Sequence, residues 1–177
     1  MKNRLISMAA RSCVATIALC GSIHAMADCF PVKGKIFNTL HNPPVGGVST
    51  IGVVALNGGT EFGKLKCALV GVWAGPGAGA EMPFVGVLPN FTHTISCDDE
   101  IPSPFGTVHS QLTFDTSGTY TGFDYTSTFS FTEHSVPAGG SGTGAFTNVA
   151  GGYLDIEGTL NAASGSVDMS FTGEVCK

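Results

Sequence analysis

Charge is scarce in this 177-residue chain, and arginine is scarcer still: 12% of residues are charged, and no arginine occurs after Arg11. Beyond residue 27 the chain has five lysines against 13 acids, a net charge of −8. Without the planar guanidinium fork, and with an acidic balance, it has little to grip or neutralise a phosphate backbone. Neither nucleic acid nor an anionic membrane surface is therefore an expected partner. No stripe of helical period runs along the chain, and no heptad or collagen repeat occurs. Motifs that carry known chemistries are missing as well: no C-x-x-C, H-x-H or H-E-x-x-H, no G-x-S-x-G elbow and no phosphate-binding G-x-x-x-x-G-K-[ST] loop. No cofactor or zinc site is expected. Disorder is excluded by a 43% hydrophobic content at low charge.

What is present begins with an address. Residues 1–27 read as a secretory signal: Lys2, Arg4 and Arg11 form a basic start, residues 12–23 are uncharged, and Ala25-Met26-Ala27 offers small residues to a signal peptidase. The apolar run is about half of the ~20 residues a spanning helix needs. Leu19 before Cys20 argues against lipoprotein processing, which requires a small residue there. Residues 28–177 then form one domain, exported to the periplasm or beyond.

That domain holds four cysteines, Cys29, Cys67, Cys97 and Cys176, an even count that implies two disulfides with three possible connectivities. Strand alternation chooses among them. Cys176 shares the polar face of Asp168, Ser170 and Glu174, and Cys29 shares that of Lys33 and Lys35, although Pro31 interrupts the phase. Cys67 lies with Leu65 and Leu69, and Cys97 with Phe91 and Ile95. Like faces can meet, so Cys29–Cys176 and Cys67–Cys97 are the expected pairs.

Period-two alternation recurs throughout. Strands are predicted over residues 32–36, 48–56, 62–73, 84–88, 91–97, 108–115, 120–133, 153–160 and 166–175. Asn57-Gly58-Gly59, Thr116-Ser117-Gly118 and Asn161 to Gly165 are predicted turns, residues 75–79 a loop, and residues 137–144 a Gly/Ser/Thr loop. Threonine and serine occupy outer faces, as at Thr126, Thr128, Ser130 and Thr132. The fold class is all-β: a single small antiparallel barrel of about eight strands, or a sandwich.

One stretch carries a resemblance. Gly142-Thr143-Gly144-Ala145-Phe146-Thr147-Asn148-Val149-Ala150-Gly151-Gly152-Tyr153, followed by Leu154-Asp155-Ile156-Glu157-Gly158 and a last strand ending Phe171-Thr172-Gly173-Glu174-Val175, resembles the G-x-G-x-F-x-x-(small)-x-G segment of the allene oxide cyclase and dirigent barrel superfamily. The likeness covers roughly 35 of the 150 residues after the signal, and its glycines serve close turns and positive φ. It implies an eight-stranded antiparallel barrel around an apolar cavity, trimeric in plant enzymes that cyclise an oxidised fatty acid or guide phenoxy-radical coupling. It implies no active-site residues here, because the matching stretch is scaffold.

Candidate chemistry comes from inward polar groups. His93 lies between Phe91 and Ile95 on an inward face, where an imidazole serves as a general base or a ligand hook, or simply as a hydrogen-bonded core histidine. Glu133 has the parity of Phe123, Phe129 and Phe131; a carboxyl there either acts as an acid of raised pKa or sits in water at the rim. Tyr125 offers a phenol on that face, or plain packing. Together the three would make a polar hook in an apolar pocket. Asp98-Asp99-Glu100 suits calcium by oxygen count but lacks an EF-hand loop, so a solvated turn is expected. Asn90-Phe91-Thr92 fits a glycosylation sequon within a predicted strand of a bacterial-type export protein, and is discounted.

Two functional classes follow. The first is an exported barrel that binds, and in its enzymatic version isomerises or cyclises, a small apolar molecule in a lumen of a few hundred Å³, with a homo-oligomer allowed. The second is a non-enzymatic surface or pilin-like interaction protein with a filled core and an open sheet edge for strand addition. A polymer hydrolase ranks last: Glu133, Asp155 and Glu157 offer carboxylates without a defined spacing.

Overall fold

The computed structural model describes residues 27–45, 48–73, 85–122 and 128–177. Eight antiparallel strands close into a barrel in the order β1-β10-β9-β8-β7-β4-β3-β2. They are β1 (Cys29–Val45), β2 (Val48–Asn57), β3 (Lys64–Trp73), β4 (Val85–Cys97), β7 (Gln111–Thr121), β8 (Thr128–Pro137), β9 (Gly151–Asn161) and β10 (Ser166–Cys176). A small hairpin, β5 (Ile101–Ser103) and β6 (Gly106–Val108), leaves the wall between β4 and β7, and a single-turn helix α1 (Gly59–Phe62) joins β2 to β3. Closure removes the barrel's free edges, so the wall offers no open strand for addition.

Alternation assigns the faces. In β8, Phe129, Phe131 and Ser135 are buried, while Thr128, Ser130, Thr132 and His134 are exposed. In β10, Val167, Met169, Phe171 and Val175 are buried. Apolar side chains therefore fill the interior, and Ser, Thr and acids cover the outside of β7 to β9, the reverse of a lipid-facing barrel. Among the described residues no helix is long and apolar enough to cross a membrane.

Both expected disulfides are present. Cys29 lies directly opposite Cys176 across β1 and β10, and Cys67 opposite Cys97 across β3 and β4. Bridges of this kind persist in a non-reducing compartment.

The end that carries Cys29 and Cys176 is stoppered. Phe62 from α1 and Phe146 from the 3₁₀ turn Gly144–Phe146 pack with ring centres 5.3 Å apart, and Phe30 meets Phe62 edge-on at 6.0 Å. Phe146 is fully buried. Of these rings only Phe146 comes from the glycine-rich stretch 142–153; Phe30 belongs to β1 and Phe62 to α1. Gly144 has φ +59°, and a Cβ there would lie 2.5 Å from the Ser110 hydroxyl, which accepts a hydrogen bond from the Ala145 amide at 2.7 Å. Only glycine meets both demands.

Three sequence expectations change. Thr116-Ser117-Gly118 is not a turn but lies inside β7, paired with Ser135, His134 and Glu133 of β8. Residues 84–88 and 91–97 do not make two strands: β4 runs through both, with a register shift between Leu88 and Phe91 that absorbs Pro89. Predicted strand 120–133 is interrupted, since β7 ends at Thr121 and β8 begins at Thr128. The signal over residues 1–26, the loop at 75–79 and Tyr125 lie outside the described residues.

Candidate functional site

Halfway along the barrel the apolar interior is broken by a polar chain. His93, inward on β4, is 7% exposed, and its Nδ1 lies 3.1 Å from the Thr116 hydroxyl on β7. That hydroxyl lies 2.7 Å from the Ser135 hydroxyl on β8. The three side chains thus bridge three neighbouring strands. The chain can run in either sense: with Nδ1 accepting, Ser135 and Thr116 each donate toward the ring, and with Nδ1 protonated they donate away from it. The His93 ring also stacks on Phe91, with centres 5.5 Å apart.

Glu133 sits two residues before Ser135 on the same inward face of β8. Its Oε2 is enclosed and has no hydrogen-bond partner. Burial pushes the Glu133 carboxyl up to about 7 and the His93 imidazole down to about 4. Both shifts have the same cause, loss of hydration around a charge, and both favour the neutral form. At neutral pH His93 is uncharged, and Glu133 lies near its midpoint.

His93 and Glu133 share one cavity of about 30 Å³, to which all eight barrel strands contribute and in which Ser135 is the remaining polar lining residue. The sequence left open whether these residues converge; His93 and Glu133 line the same cavity, and Tyr125 lies outside the described residues. The expectation of a few hundred Å³ does not hold: phenyl rings such as Phe114 and Phe171 reach the cavity and leave room for one or two water molecules.

β3 supports the site by yielding to it. Gly71, across from His93, has no room for a Cβ, which would lie 2.0 Å from the Thr50 hydroxyl and 2.7 Å from His93 Cδ2. The Thr50 hydroxyl is itself buried and without a partner. Gly71→Ala is therefore expected to push the imidazole off Thr116 and to cost about 1–3 kcal/mol in urea unfolding; an unchanged midpoint would show that the ring is not held in place by this contact.

The other carboxylates do structural work. Asp98 Oδ1 accepts from the Lys66 amide at 3.2 Å, and Asp99 accepts from the Ser110 amide at 3.0 Å and from its hydroxyl. Asp155 pairs with exposed His134 at 2.8 Å on the outer wall. The sequence pattern gave no signal for Thr116 and Ser135, because threonine and serine are equally common on the solvated face.

Comparison of the chain with family models, with curated proteins and with solved structures finds no match in any of the three.

Proposed function

We propose that this is an exported, disulfide-stapled barrel that binds a small, largely apolar molecule bearing one hydroxyl or carbonyl oxygen, with that oxygen held at Glu133 and His93. The observation that carries the reading is the unpartnered Glu133 Oε2 inside an apolar cavity it shares with His93. A buried polar atom left without a partner costs about 1–3 kcal/mol, and a ligand oxygen or a water that supplies the bond recovers it. The ligand's apolar remainder would extend away from the stoppered end, past Phe91, Tyr120 and Phe129, whose rings must rotate to admit it. The resemblance of residues 142–153 to the allene oxide cyclase and dirigent superfamily supports the same use of the lumen.

In the enzymatic version Glu133 acts as a proton carrier. A carboxyl with a pKa near 7 takes a proton from a carbon beside a carbonyl and returns it elsewhere on the same molecule, so an isomerisation or cyclisation balances without a redox partner. Neutral His93 would orient or polarise the oxygen.

A second reading, a non-enzymatic surface or interaction protein, is favoured by the tightness of the lumen. Native mass spectrometry of protein purified from the exported fraction without refolding separates the two. The binding reading expects extra mass that is lost on denaturation, and at least about a tenfold lower retained fraction in Glu133→Gln. Wild type without extra mass, and without uptake of medium-chain alcohols or ketones added as probes, would leave the structural reading in possession.

A further inference from the structure

Glu133 is not the one buried polar group left without a partner. Among the described residues two more side-chain atoms share that state, Asn38 Oδ1 on β1 and Thr50 Oγ1 on β2. Asn38 is 7% exposed and Thr50 6%, and both take the inward parity of their strands, Asn38 with Ile36 and Thr50 with Val54. They are diagonal neighbours, since Asn38 pairs with Gly52 and Leu40 with Thr50. Gly71 lies opposite Thr50 on one side and His93 on the other. A Cβ at Gly71 would lie against Thr50 Oγ1 and 2.9 Å from His93 Nε2, so the two polar atoms converge over this glycine. The other nitrogen of the ring, Nδ1, is engaged by Thr116. The cavity shared by His93 and Glu133 is lined by Ile36 on β1 and Val54 on β2. Asn38 and Thr50 stand next along those strands, away from the stopper, because β1 starts at the stoppered end and β2 runs into α1. They border the path along which a ligand would extend.

We infer that Asn38 and Thr50 form a second polar subsite of the lumen, so that the ligand is an α-hydroxy ketone: its carbonyl oxygen lies at Glu133 and His93, and the hydroxyl on the adjacent carbon at Asn38 and Thr50. The inference rests on the binding role proposed above and adds a second oxygen to it. Donor and acceptor counts select the pair. Protonated Glu133 donates, and so does His93 Nε2–H in the tautomer whose Nδ1 accepts from Thr116; a carbonyl oxygen with two lone pairs takes both. Asn38 Oδ1 needs a donor, and Thr50 Oγ1 gives or takes a bond. A hydroxyl meets both, and it serves the amide of Asn38 in either orientation. Spacing selects adjacent carbons, because Thr50 Oγ1 and His93 Nε2 converge over one glycine. A plain ketone or alcohol satisfies one subsite and leaves the other without a bond. A carboxylate would bring a charge into a lumen where burial already disfavours charge.

The test is isothermal titration calorimetry of the disulfide-bonded protein with three probes of equal chain length: 3-hydroxyoctan-2-one, octan-2-one and octan-2-ol. It is run below the value of about 7 to which burial raises Glu133, so that the carboxyl carries its proton. Wild type should bind the hydroxy ketone at least about tenfold more tightly than either single-oxygen probe. In Asn38→Leu and in Thr50→Val, each close in shape to the residue it replaces, that advantage should shrink to about twofold or less. Neither variant should unfold at lower urea than wild type, because each removes an atom that has no partner in the fold. Equal wild-type affinity for hydroxy ketone and ketone, or an advantage that survives both substitutions, would overturn the inference and leave the single-oxygen reading standing. A fall in the urea midpoint of both variants would overturn it as well, by showing that the two side chains are tied into the fold. Binding of none of the three probes would remove the lumen reading itself, and this inference with it.

Discussion

Replacing Glu133 by Gln should raise stability relative to wild type by about 3 kcal/mol as pH climbs from 4.5 to 7, and replacing His93 by Gln should do the same as pH falls from 6.5 to 4. The signs follow from proton counts. Glu133, with its folded pKa raised from 4.5 to about 7, keeps its proton in the native state where the unfolded chain has released it. Its contribution is full below pH 4.5 and is lost as pH rises through 7. His93, lowered from 6.5 to about 4, is neutral in the native state where the unfolded chain is already protonated. Its contribution is full above pH 6.5 and is lost as pH falls through 4. Each shift is about 2.5 pH units, and each unit corresponds to ~1.36 kcal/mol.

Between pH 4.5 and 6.5 the two slopes oppose and nearly cancel, so these residues leave wild-type stability almost flat there. Single substitutions unmask one slope at a time. Urea unfolding at half-unit pH steps, read as the difference between variant and wild type, cancels every other titrating group. Difference curves that stay level would mean that the lumen is hydrated and neither group is desolvated.

The Cys67–Cys97 pairing and the inwardness of His93 and Glu133 were legible because they depend only on period-two parity within single strands; Cys176, expected on the polar face of β10, is instead buried beside Val175, where alternation ends, and still meets Cys29 across the seam. Cys67 and Cys97 needed no more than Leu65, Leu69, Phe91 and Ile95 to reveal their face. The turn expected at Thr116-Ser117-Gly118 failed because its composition signals a turn only where no partner claims the residues. Thr116 is held by His93 and Ser135 in the interior, and Gly118 faces Glu133 across β8. The meeting of Thr50 with His93 was illegible for a different reason. The two lie 43 residues apart, and only the registers of β2 on β3 and β3 on β4 bring them together over Gly71. Lumen volume was beyond reach for a third: it is what remains after rings from eight strands have packed, a small difference between two large volumes.

Removing Cys29–Cys176 should cost more than any other change on the outside of the barrel, about 4–5 kcal/mol, or roughly 10–15 °C in melting temperature for a domain of this size. The bridge closes 147 residues, against 30 for Cys67–Cys97. On chain-entropy grounds alone the longer loop is worth about 1.4 kcal/mol more. Packing makes the outer pair the cleaner experiment. Cys29 is exposed and Cys176, though buried, lies outside the core cluster, whereas Cys67 and Cys97 both belong to it and their truncation adds a cavity. The fold itself should survive in a Cys29→Ser/Cys176→Ser variant, because β1 and β10 remain joined by continuous antiparallel pairing from Cys29↔Cys176 to Thr39↔Ser166.

The loss should therefore appear as a lower unfolding midpoint with an unchanged native spectrum. Amide exchange should accelerate first at the Cys29 end of the β1–β10 seam, where the staple no longer limits fraying. A loss below about 1 kcal/mol would mean that the unfolded chain already holds its ends together, since a crosslink cannot remove entropy that the denatured ensemble does not have.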